Sequence, residues 1–160
     1  MTVQKPGAGF AVAAVLENGG WRCSELDPNA LTDLDAAITE LGKIVTTGAV
    51  VALLSVDDEF FVLIRLAPSG TELVLSDAAA ALDYDIAADV LDMMRVEMPD
   101  DDEDETWAEG DLGMMSDLGL PSEELEMIAS DIELYPDEQL RMIARRCGFG
   151  DQFDDLLDRL

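Results

Sequence analysis

The sequence contains no histidine, only two cysteines, and nine basic residues among its 160. Without histidine the chain lacks the commonest general base of enzymes and a principal zinc ligand. Cys23 and Cys147 stand 124 positions apart, a spacing that matches neither a metal-binding motif nor a disulfide framework. A glycine-rich phosphate-binding loop is also missing. We therefore expect a protein with no catalytic residues, no metal site and no cofactor.

Positive charge is the second deficit of this sequence. Nine Lys and Arg residues face 36 Asp and Glu residues, which gives a net charge of −27. A field of that sign repels phosphate backbones and anionic membrane surfaces. The composition therefore argues against direct binding of nucleic acid or membrane, and it favours a basic protein as partner.

Long apolar runs are absent as well. The chain has no stretch of about 18 apolar residues that could span a membrane. Its N-terminus has no basic segment leading into an apolar one, as a signal peptide has. With 49% hydrophobic residues, the chain can still bury the core of one domain. These features predict a soluble, cytoplasmic protein.

The stretch from Gly48 to Asp77 carries the strongest structural pattern. Three short apolar runs separated by turn residues predict a three-stranded antiparallel meander. Residues 50–54 and 60–64 are apolar at every position rather than at alternate ones. A strand of that kind is covered on both faces, so these two strands should lie at the centre of the sheet.

The preceding residues add a hairpin and a helix. Asn18-Gly19 lies between two apolar runs, which is the strongest short-range hairpin signal. Asp27-Pro28 opens a helix, and Ser76-Asp77 caps a second one after the meander. The order ββαβββα over residues 1–96 predicts an α+β fold with an antiparallel five-stranded sheet and packed helices.

The remainder of the chain divides in two. Residues 97–111 contain nine acids and no base, and we interpret them as a solvated, mobile acidic linker. Residues 112–160 predict a small appendage of three helices, each with one narrow apolar stripe. The stripes are Leu125, Ile128, Ala129 and Ile132; Leu140, Ile143, Ala144 and Cys147; and Phe153, Leu156, Leu157 and Leu160. Such narrow stripes are expected to face one another in a layer of their own. A stretch of about 45 residues is too short to be stable alone, so we expect this layer to dock on the sheet domain or on a partner.

Two charged groups are candidates for partner binding. Asp57, Asp58 and Glu59 form an acidic cluster, although Asp is also a common former of hairpin turns. The second group, on the outer face of one helix, consists of Arg141, Arg145 and Arg146. These arginines either form a docking patch for a carboxylate or balance the charge of neighbouring acids.

Two single residues also stand out. Trp107 lies within the acidic linker, where an aromatic residue is typical of a short linear binding motif, although a role without a partner is equally consistent. Arg65 closes the most apolar strand, and we expect it to pair with a buried acid such as Asp77.

Several short apolar and acidic strings point to a known family. They are Asn18–Trp21, Glu25–Asp27, Val51–Leu54, Asp57–Phe61, Arg65, Val74–Ala81, Asp117–Leu120 and Arg145–Gly150. In these strings and in its acidic middle, the sequence resembles the bacterial tRNA adenosine deaminase-associated proteins, over residues 9–155. The chain lacks the His-x-Glu and Pro-Cys-x-x-Cys motifs of the zinc deaminases themselves. The resemblance thus implies association with the enzyme and carries over no catalytic residue.

Four functions are compatible with these observations. The first is a non-catalytic accessory protein that binds a tRNA adenosine deaminase. The second is an acidic nucleic-acid mimic that blocks basic nucleic-acid-binding proteins. In the third the acidity serves only solubility, and in the fourth carboxylates and a divalent ion carry an enzymatic reaction. An exposed outer strand would in addition allow a homodimer.

Overall fold

The computed structural model describes residues 9–44, 46, 48–68, 70–97, 107–131 and 133–159, and they form an α+β fold. One sheet, antiparallel throughout, has the strand order β2-β1-β3-β4-β5-β6. The strands are β1 (Phe10–Glu17), β2 (Gly20–Glu25), β3 (Val50–Val56), β4 (Phe60–Ala67), β5 (Gly70–Leu75) and β6 (Glu109–Gly110). The helices are α1 (Leu34–Gly42), α2 (Asp85–Met94), α3 (Ser122–Ala129), α4 (Pro136–Cys147) and α5 (Gly150–Asp158). The predicted α+β class is confirmed.

The two strands that are apolar at every position lie where the pattern predicts. β3 and β4 are adjacent and central in the sheet. Ala52 and Leu54 belong to the core on the first face, whereas Val51 and Leu53 belong to the core on the second face. Each of these four side chains is fully buried. Complete burial of an aliphatic side chain stabilises the fold by about 1.5–3 kcal/mol, so both faces contribute to the core.

The first face is covered by elements that alternate with the strands in the chain. α1, α2 and the 3₁₀ turns Pro28–Leu31 and Ala78–Leu82 pack there. The helix predicted from Asp27 onward is divided in two, because Asp27 caps only the 3₁₀ turn. Asp33 then accepts a hydrogen bond from the Ala36 N–H at 3.3 Å and caps α1 afresh.

The second face is covered by the C-terminal part of the chain. α4 packs on β3 and β4, and α5 packs on β2. The apolar stripes of α3, α4 and α5 share one core with strand side chains such as Phe61 and Leu63. The three helices therefore pack on the sheet as well as on one another. The physical reason is that the central strands present a second apolar face, which would otherwise be exposed to water. Ile132 and Leu160 of the predicted stripes lie outside the described residues.

The sheet has a sixth strand that the sequence pattern did not indicate. β6 has two residues and pairs with Val74 and Leu75 of β5. Gly110 has φ 125°, and a Cβ atom there would lie 2.1 Å from the Leu73 carbonyl oxygen, so only glycine fits. Residues 107–111 of the predicted linker thus lie beside the sheet, and residues 98–106 lie outside the described residues. A strand of one acid and one glycine has no apolar pattern from which it could be predicted.

Within the described ranges, no helix combines the length and the hydrophobicity needed to cross a membrane.

Candidate functional site

A groove lined by acidic side chains lies beside the turn between β3 and β4. Its volume is about 400 Å³, and all of its charged lining residues are acids. They are Asp58, Glu59, Asp77, Asp131 and Glu133. Tyr135, Pro136 and Gln139 at the start of α4 also line it. We call this surface the acidic groove, and it can accept a cationic or aromatic group from a partner.

The β3–β4 turn supplies two of these acids. Asp57 and Asp58 have φ of 52° and 57°, and the Glu59 N–H donates to the Val56 carbonyl oxygen at 2.9 Å. Two central residues with positive φ are typical of the type I′ turn, which matches the twist of the strands. Asp tolerates this conformation better than most residues other than glycine and asparagine. The three predicted acids thus form a hairpin turn, and Asp58 and Glu59 line the groove while Asp57 does not.

Asp77 supplies a half-buried carboxylate at the end of β5. Its Oδ1 accepts a hydrogen bond from the Ala79 N–H at 2.9 Å and so caps the 3₁₀ turn Ala78–Leu82. Burial raises the pKa of Asp77, with a further contribution from the neighbouring carboxylate of Glu59, while the cap opposes the shift. A cation in the groove would relieve this repulsion.

The connection between α3 and α4 forms the opposite side of the groove. The buried side chain of Gln139 donates to the carbonyl oxygen of Ile128 at 2.7 Å and thereby holds the C-terminal end of α3. The Tyr135 N–H donates to Oε1 of Glu138 at 2.9 Å, which fixes the start of α4. The Tyr135 side chain nevertheless remains 62% exposed. The exposed aromatic ring of Tyr135 therefore lies next to the hydrogen-bonded start of α4.

The three predicted arginines differ in their surroundings. Nη1 of Arg141 donates to Oδ1 of Asp154 at 2.7 Å, and Arg146 forms a two-pronged pair with Glu124. Arg145 has no ion-pair partner within the part of the chain that the structure describes. Among the described residues, charge balance therefore accounts for Arg141 and Arg146 and leaves Arg145 without an ion pair.

Trp107 lies against the sheet domain. Its half-buried side chain packs on the first core, and its Nε1 donates to Oε1 of Glu109 at 2.9 Å. Its carbonyl oxygen accepts the N–H of Ala78 at 2.9 Å. Part of the indole surface is thus buried by contacts within the chain.

Arg65 pairs with an acid other than the expected one. Its Nη1 and Nη2 donate to the two carboxylate oxygens of Asp117 at 2.7 and 2.9 Å, and Nη1 also donates to the Met114 carbonyl oxygen. Arg65 lies opposite Glu72 in the register with β5, whereas Asp77 follows the far end of that strand. The predicted pairing with Asp77 is therefore wrong. The hydrogen bond to Arg65 lowers the pKa of Asp117.

The reactive side chains give no indication of chemistry. No group of three metal-ligating side chains is placed to hold an ion among the described residues. Burial raises the pKa of Cys23 to about 11 and that of Cys147 to about 12. Both thiols are therefore protonated at neutral pH, and the thiolate is the nucleophilic form.

Comparisons with known proteins agree with the recognition of a family. The sequence profile of a family described as Rv3753c-like tRNA adenosine deaminase-associated protein matches residues 9–150. The chain is also similar to Protein Rv3753c of Mycobacterium tuberculosis (strain ATCC 25618 / H37Rv), with 56% identity over 165 residues. This alignment covers 99% of the chain and 95% of that protein. No solved structure matches the chain.

Proposed function

Because this chain belongs to the Rv3753c-like tRNA adenosine deaminase-associated protein family, we propose that it is a non-catalytic accessory protein that binds a tRNA adenosine deaminase. The family description supports the association, and the acidic groove supports a direct contact. The proposed site of action is the cytoplasm, where tRNA is modified.

The observation that carries this proposal is the composition of the acidic groove. Five carboxylates line a space of about 400 Å³ that has no basic lining residue. An enzyme that binds tRNA presents Lys and Arg to the phosphate backbone. Arg pairs with carboxylates through two parallel hydrogen bonds and also stacks on aromatic rings. A basic element of the deaminase can therefore pair with the carboxylates and stack on Tyr135.

The net charge of −27 contributes in a different way. Charges outside an interface accelerate the encounter of opposite partners and depend strongly on ionic strength. The local carboxylates of the groove then decide where the partner binds. In this mechanism the chain competes with tRNA for the basic surface or positions the enzyme, without performing a reaction.

Calorimetry with the deaminase of the same organism tests the proposal. We expect binding at about 0.05 M salt and a marked loss of affinity at about 0.3 M, because the Debye length falls with ionic strength. Absence of binding at the lower salt concentration would refute a physical complex. Equal binding to several unrelated basic proteins would favour the nucleic-acid mimic instead.

A further inference from the structure

A second groove, between α3 and α4, differs from the acidic groove in its chemistry. It has a volume of about 420 Å³ and is lined by the apolar side chains of Met127, Ile128 and Met142, by Arg145 and Arg146, and by the acids Glu124 and Asp131. We call it the methionine groove. We propose that it is a separate protein-binding site, which takes an amphipathic helix that carries apolar side chains beside a carboxylate.

The exposure of the two methionines is the first argument. Met127 is 73% exposed and Met142 is 38% exposed, whereas Leu125 and Ile143 of the same helices are fully buried. The core is thus complete without the two methionines, so packing within the chain does not explain their apolar character. Methionine is flexible and polarizable, and it suits surfaces that adapt to an apolar partner.

The charge beside the methionines is the second argument. Arg145 has no ion-pair partner among the described residues, and the pair of Arg146 with Glu124 joins α4 to α3. Glu124 thus balances the charge of Arg146 in the lining, and Arg145 is the lining cation without an ion pair. Asp131 also lines the acidic groove and so lies at the border of the two. Acids beyond about one Debye length are screened, and Arg145 is the local charge that favours a carboxylate.

The same charges argue against other occupants. A second copy would bring two chains of −27 together, which like-charge repulsion opposes. A basic segment would place its cations beside Arg145, which repels them, and the acidic groove close by suits such a segment better. A helix bearing Glu or Asp next to its apolar stripe satisfies both the methionines and Arg145.

The dimensions of the groove fit this mode of binding. α3 has eight residues and α4 has twelve, which correspond to lengths of about 12 and 18 Å at 1.5 Å per residue. Two to three turns of a bound helix match that span. A helix of that length places apolar anchors at positions i, i+3, i+4 and i+7 in the groove.

A pair of synthetic peptides tests the proposal without the deaminase. Both are 15-residue amphipathic helices with leucine at i, i+3, i+4 and i+7; one has glutamates beside the stripe, and the other has lysines there. Fluorescence anisotropy at about 0.3 M salt suppresses the long-range attraction of the acidic chain for lysine. We expect the glutamate peptide to bind at least about threefold more tightly, as one rim ion pair provides.

Variants then locate the binding site. The double substitution Met127→Ser with Met142→Ser should lower the affinity for the glutamate peptide by about tenfold or more, because buried apolar contacts are lost. Met93→Ser is the matched control, since Met93 is 44% exposed on α2. Arg145→Gln should abolish the preference for glutamate over lysine, and Arg159→Gln should keep it. The exposed positions make unfolding of these variants unexpected, and circular dichroism verifies this.

Three results would overturn the proposal. The first is failure of the glutamate peptide to bind. The second is equal affinity of the glutamate peptide for the wild type and for the double methionine variant. The third is tighter binding of the lysine peptide than of the glutamate peptide at high salt. Since the deaminase takes no part in this experiment, these results would leave the function proposed for the acidic groove intact.

Discussion

The acidic groove and the methionine groove lie beside the same pair of helices and share Asp131 as a lining residue. One is lined by five carboxylates without a cation, and the other by two methionines, two arginines and the two acids Glu124 and Asp131. A net charge of −27 therefore does not make the surface uniform. In the mechanism that we propose, total charge governs the approach of a partner, whereas a few local side chains determine which partner each groove accepts.

The largest effect is expected from loss of the support that both grooves share. Arg65→Met removes the bonds to Asp117 and Met114, which fix the segment leading into α3. Hydrogen bonds to charged groups contribute about 1.5–3 kcal/mol, so urea unfolding should show a loss of about 2 kcal/mol. Arg22→Met is the control, since its exposed pair with Glu17 contributes about 1 kcal/mol or less.

The pH dependence of that loss has a definite sign. The folded pKa of Asp117 is lowered by Arg65, so the stability gained from the pair is present above the ordinary carboxyl value of about 4. It disappears as the pH falls through the lowered folded pKa. The difference between wild type and Arg65→Met should therefore shrink in acid. An undiminished difference at about pH 2 would contradict this assignment.

A comparable effect is expected where the two grooves meet. Gln139→Leu deprives the carbonyl oxygen of Ile128 of its buried donor, at a cost of about 1–3 kcal/mol. Both grooves depend on the end of α3, so we expect weaker binding of the deaminase and of the glutamate peptide together. Gln152→Leu in α5 is the matched control. Loss of only one kind of binding would show that the grooves are independently supported.

Smaller changes in stability should separate the effect of the Asp77 charge from that of its capping hydrogen bond. Its raised folded pKa means that this group adds stability below its unfolded pKa, and that this stability is lost as the pH rises through the folded value. Asp77→Asn keeps the cap without the charge, so it should be neutral or stabilising by less than about 1 kcal/mol at pH 7. Asp77→Ala should instead destabilise by about 0.5–1 kcal/mol through loss of the cap. Thermal unfolding of both variants provides the measurement.

The smallest expected effect is the sharpest test of separation between the grooves. Met127→Ser with Met142→Ser should change the affinity for the deaminase by less than about twofold, a difference of about 0.4 kcal/mol. Calorimetry at about 0.1 M salt gives the comparison with wild type. A tenfold loss would mean that one partner covers both grooves.

Much of the fold was predictable because its signals are local. Strands that are apolar at every position indicated burial on both faces, and Asn18-Gly19 and Asp57-Asp58 indicated hairpin turns. By contrast, the acidic groove joins residues 58–59, 77, 131 and 133–135, which no periodicity relates to one another. The partner of Arg65 is 52 residues away in the chain. Such long-range neighbours depend on how the C-terminal helices pack on the sheet.

The exposed methionines show a second limit of the sequence pattern. Met127 and Met142 stand next to the apolar stripes of α3 and α4. In the sequence pattern they therefore cannot be distinguished from core residues. Only the packing shows that the core is complete without them.

The central claim is that the carboxylates of the acidic groove, and not the total charge, bind the deaminase. The direct measurement compares two triple variants with the same net charge. One neutralises the groove (Asp58→Asn, Glu59→Gln and Glu133→Gln), and the other neutralises three exposed acids outside it (Asp92→Asn, Glu25→Gln and Glu126→Gln).

Calorimetry with the deaminase at about 0.1 M salt should show affinity reduced by about tenfold or more in the groove variant, since three ion pairs of up to about 1 kcal/mol each are lost. The control variant should stay within about threefold of wild type. Equal losses in the two variants would contradict the claim and would leave total charge as the determinant of binding.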